Sequence, residues 1–129
     1  MNKILVEVSI GELLDKISIL EIKLDKIKDS ENLKFISNEH SILKKQLDNN
    51  VKSDDKLVKF FQSLKEINEK LWVIEDDKRQ CEKNKDFGEN FIKLSRDVHF
   101  LNDERAKIKL EINRSTGSKI REIKEYTSY

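Results

Sequence analysis

The chain has 129 residues, with 26 Lys+Arg against 25 Asp+Glu, and a net charge of +1 gives no general drive toward nucleic acid or an anionic membrane. Charged residues make up 40%, proline is absent and glycine numbers 3, which excludes a collagen, a Gly/Pro-rich sandwich or a low-complexity linker and favours long helices. A lone Cys81 forms no intrachain disulfide, no apolar stretch nears the ~18 residues of a membrane span, and Glu7 cuts the short apolar run at Ile4–Val6. The expectation is one soluble cytoplasmic domain over residues 1–129.

Ile4, Val6 and Val8 alternate and read as a short strand. Ser9 with Glu12 three residues later is a capping box, so a helix starts at Ile10. That helix carries Ile10, Leu13, Ile17, Leu20, Leu24 and Ile27 at alternating steps of three and four, the spacing of a helix–helix seam. Asp29-Ser30 breaks the pattern. A second helix carries Leu33, Ile36, His40, Leu43 and Leu47, followed by a polar linker over residues 48–55.

The third helix starts near Asp54-Asp55, holds Leu57, Phe60, Leu64, Ile67, Leu71 and Ile74, and runs to about Lys83. Residues 84–88 form a turn. The fourth holds Phe91, Leu94, Val98, Leu101, Arg105, Ile108 and Ile112 and stops at Thr116-Gly117-Ser118. The tail from Lys119 reads as a last helical turn or as a strand through Ile120, Glu122, Lys124 and Tyr126, whose natural partner is Ile4–Val8. The fold class is mainly α: an antiparallel helical bundle of coiled-coil hairpins, with that strand pairing as an option.

Several residues break the helical pattern. Arg105 occupies a seam position, and a buried guanidinium needs a partner. His40 also sits on a seam, where hydrogen-bonded packing is the ordinary role. His99 and Asp103 share a face, but no third ligand joins them, so no metal or other cofactor is expected. Beside the fourth helix's seam, Ser95, His99, Asn102, Ala106, Lys109 and Asn113 make a small, mostly uncharged stripe that suits a second packing surface, a ligand, or a partner chain such as the second copy of a homodimer, with Ser95, His99, Asn102, Ala106 and Asn113 as the candidate interface.

Folding the second hairpin about Asp86 sets Trp72 across from His99–Phe100, Glu75 from Arg96 and Asn68 from Arg105. Trp72, Glu75, Arg79, Arg96, Asn102 and Arg105 then converge, and arginines around an asparagine and a stacking tryptophan suit a small anionic ligand such as a sugar acid. Lys109 lies one turn beyond. The bland alternative is an inter-helix salt-bridge ladder. Motifs for phosphate loops, dinucleotide binding, zinc and nucleophile elbows are missing, so no catalytic residue is assigned. Acidic and basic residues interleave, which leaves no nucleic-acid stripe.

Three segments together resemble a small family of bacterial and phage proteins of unknown function. They are VEVSIGELLDKI (Val6–Ile17), LWVIED (Leu71–Asp76) with Asp86-Phe87-Gly88, and NDERA (Asn102–Ala106) continuing through Lys109 and Asn113 to Gly117-Ser118. The resemblance implies a stand-alone helical protein, no established activity, and motif positions at Trp72, Glu75, Arg79, Arg96, Asn102, Arg105 and Lys109. Leu101–Asn113 also resembles part of a helical chorismate mutase, but helix one has no arginine where that family places one. The expected function is therefore an interaction protein, with a binder or enzyme for a small anionic metabolite or sugar as the alternative.

Overall fold

A computed structural model describes residues 2–129 as four helices: α1 (Ile10–Lys26), α2 (Ser30–Asn50), α3 (Asp55–Lys83) and α4 (Glu89–Thr116). Three starts are capped by side chains the sequence places there. Ser9 accepts the Glu12 N–H at 3.1 Å, Asp29 that of Asn32 at 2.9 Å, and Asp54 that of Leu57 at 2.8 Å. α3 has 29 residues and is therefore about 43 Å long. α4 stops at Gly117, whose φ of 70° is the left-handed conformation that a side chain would disfavour.

α3 and α4 form one antiparallel hairpin, and α1 lies across both. α2 folds back on α1 and packs its backbone against no other helix. Leu14, Ile17, Leu47, Leu57, Leu64 and Ile112 form the core, with Phe60, Phe61 and Ile108 packed on it. The seam periodicity thus buries α1 against three neighbours. α2, with one, buries only Leu47 of its 21 residues.

The optional strand pairing is replaced by another arrangement: no strand occurs among the described residues. Two lone strands are marginal in water, and residues 2–8 stay exposed. The tail gains more by lying along α4. Tyr129 meets the rings of His99 and Phe100 edge-on and donates to Asp103, while Glu122 reaches Lys109. No helix among the described residues is long and apolar enough to cross a membrane.

Candidate functional site

Where α1 begins, it nearly touches α4. A Cβ on Gly11 would lie 2.7 Å from the Lys109 carbonyl oxygen and 2.9 Å from Asn113 Oδ1, so only glycine permits this approach. The Gly11 N–H donates to Asn113 Oδ1 at 2.7 Å. One turn on, Asp15 is 1% exposed, and such a carboxylate needs several partners. It has them: Arg105 donates from Nε (2.9 Å) and Nη2 (2.5 Å) in a fork, and Asn68 Nδ2 donates at 2.9 Å. Asn68 also donates to Ser18 Oγ, and that hydroxyl donates to the Asp15 carbonyl.

Lys109 continues the cluster, with Nζ 2.7 Å from both Glu12 and Glu122 and 3.9 Å from Asp15. Burial pushes the Asp15 carboxyl up, but hydrogen bonds from Arg105 and Asn68 and the nearby positive charges outweigh it and hold it below its ordinary value. The Asp15 hydrogen bond raises Arg105. Lys109 is pushed down by burial, yet ends raised because Glu12 and Glu122 bond its charged form. The paired charges tie α1 and the tail to α4.

Beside this cluster a cavity of about 520 Å³ opens between α1, α3 and α4. Of the seven residues predicted for a ligand, Trp72, Glu75, Arg79, Asn102 and Arg105 line it. Arg96 is exposed elsewhere, its guanidinium over the Phe100 ring, and Lys109 sits in the buried cluster. Glu75 pairs within its own helix with Arg79 at 2.7 Å. In the predicted interface stripe, Asn113 is buried against Gly11. His99, Asn102 and Ala106 line the groove beside the tail, and Ser95 is half-buried. His40 bonds Glu21, which also takes Lys65. Among the described residues no group of three His, Cys, Asp or Glu side chains is placed to hold a metal ion.

Residues 4–129 match a family of unknown function, DUF6165. The chain belongs to that family. No curated protein and no solved structure matches it. Two of the three sequence segments that implied such a family meet in this DUF6165 fold: VEVSIGELLDKI supplies Ser9, Gly11, Glu12 and Asp15, and NDERA with Lys109 and Asn113 supplies the facing surface.

Asp15, Ser18 and Asn68 escaped the sequence reading as site residues. A signal for the first two existed. Gly11, Asp15 and Ser18 step four and three along α1, and Ile22 continues the row, a second seam whose first three members are small or polar.

Proposed function

We propose that the protein is a non-catalytic helical interaction module of the cytoplasm that assembles with a second copy of itself. One observation carries this reading: the chain exposes 9730 Å², whereas a compact monomer of its mass exposes about 7,100 Å². The surplus includes large apolar side chains on helical faces. On α2, Phe35 is 77% exposed and Ile42 52%, two turns apart on one side. On the α3–α4 hairpin, Val73, Ile92 and Phe100 are also exposed. Large apolar side chains left exposed on helical faces favour association, and a second copy offers a self-complementary match through a two-fold axis. A single free cysteine, buried at Cys81, fits a reducing compartment.

Sedimentation equilibrium tests the reading. The expected mass is twice 15.3 kDa, falling to the single-chain mass in a Phe35→Glu, Ile42→Glu double variant whose helical circular dichroism is unchanged. A wild-type protein that stays monomeric up to the highest soluble concentration overturns it.

A further inference from the structure

The cavity between α1, α3 and α4 is distinct from the apolar faces assigned to self-association. Its volume of about 520 Å³ falls within the roughly 300–1,000 Å³ of small-molecule sites. Its walls are Ile19, Ile22, Leu71 and Trp72. Two amides, Asn68 and Asn102, reach it from beside the Asp15–Arg105 pair, and Glu75, Asp76 and Arg79 also line it. Asn68 is 6% exposed and directs both its donor contacts at Asp15 and Ser18. Its Oδ1 accepts no hydrogen bond among the described residues and is not sealed from solvent, so it stays open to a donor in the cavity. Asn102 accepts from Arg105 Nη1 at 3.4 Å, and its Nδ2 is without a partner among the described residues.

The electrostatics argue against an anion. Arg105 is held by Asp15 and Arg79 by Glu75, and Asp76 adds a further negative charge to the lining. A flat heterocycle has apolar faces and carries its hydrogen bonds on one edge. We propose that this cavity binds an uncharged nucleobase or nucleoside. The ring stacks on Trp72 between the aliphatic walls, and its edge donates to Asn68 Oδ1 and accepts from Asn102 Nδ2.

Trp72 is the chain's only tryptophan, so its fluorescence reports on the cavity directly. Adenosine, guanosine, cytidine and uridine are each titrated into the full-length protein, with ribose, inorganic phosphate and a short single-stranded oligonucleotide in parallel. Calorimetry checks stoichiometry. The expected result is saturable quenching by at least one nucleoside and none by ribose or phosphate. Asn102→Ala, which removes only a long hydrogen bond and keeps its circular dichroism, weakens that binding by about tenfold or more. The proposal is overturned if no nucleoside quenches Trp72, if only the oligonucleotide does, if ribose or phosphate binds as well as the nucleoside, or if Asn102→Ala binds as tightly as wild type.

Discussion

The two sides of α1 are held by different physics. Toward α3 and α4 it presents Gly11, Asp15 and Ser18, each with a partner of fixed geometry: Asn113 on Gly11, Arg105 and Asn68 on Asp15. Toward α2 it presents aliphatic side chains that meet half-buried Leu33, Ile36 and Leu43, plus one polar contact, Glu21 to His40. A shift of one residue along the first contact would bring a Cβ into the Lys109 carbonyl or strand a buried carboxylate. The second contact tolerates such a shift, because apolar packing is not directional. Polar geometry specifies the first interface, and apolar periodicity with a single Glu21–His40 contact specifies the second.

The sharpest way to break this contrast is Arg105→Ala. It leaves a 1%-exposed carboxylate without its main partner, and losing one member of a buried pair costs about 3–5 kcal/mol. Urea unfolding is expected to read a loss of that size. The joint change Asp15→Leu with Arg105→Met recovers part of it, because an apolar pair leaves no stranded charge.

The same pair gives a pH dependence whose sign is fixed. The folded-state pKa of Asp15 is lowered. Its contribution is therefore present above the unfolded value of about 3.9 and is lost as pH falls through the folded one. Lys109 is raised, so its contribution holds below about 10.4 and is lost as pH climbs through its folded value. The unfolding midpoint of wild type should fall more steeply below pH ~4 than that of Asp15→Asn. Parallel acid limbs in the two proteins would remove Asp15 from the account.

Gly11→Ala comes next. The added methyl meets backbone at 2.7 Å rather than the end of a flexible chain, so α1 must move away from α4. Overpacking of this kind costs about 1–3 kcal/mol. The loss should shrink when the variant is combined with Asn113→Ala, since the two residues share one contact. Additive losses in that double-mutant cycle would place the strain on the Lys109 carbonyl alone.

The helices were legible in the sequence because each start carries a side-chain cap or a turn and each seam repeats every three to four residues. The predicted starts at Ile10 and near Asp54-Asp55 and the stops near Lys83 and Thr116 match α1, α3 and α4. Arg105 stood out because it interrupts an apolar seam. Its partner did not, since Asp15 is one of 25 acidic residues and sits in an ordinary-looking stretch between Leu14 and Lys16. Only the register of α1 on α4 singles it out, and that register depends on Gly11. The hairpin register did bring Asn68 level with Arg105, and both reach Asp15. The placement of Arg96 was less legible. On an exposed face several partners lie within reach, and the guanidinium sits over the neighbouring Phe100 ring. The tail's alternation at Ile120, Glu122, Lys124 and Tyr126 pointed to a strand, whereas contacts at Glu122 and Tyr129 position it along α4.

The smallest expected effects sharpen the comparison best, because they use the same chemistry on both sides of α1. Ser9 and Asp29 each cap a helix by accepting the N–H three residues on. Ser9 is buried beside the α1–α4 contact, where water cannot replace the lost acceptor. Asp29 is exposed at the start of α2, where it can. Ser9→Ala should cost toward 2 kcal/mol and Asp29→Ala about 0.5 kcal/mol, the two ends of the range for cap removal. Hydrogen exchange adds a spatial readout. Ser9→Ala should lower protection in α1 and α4 together, because their contact opens as one unit, whereas Asp29→Ala should affect only the first turn of α2. Equal losses from both variants would mean that α2 is fixed as firmly as α4, and that its half-buried seam is as specific as the polar one.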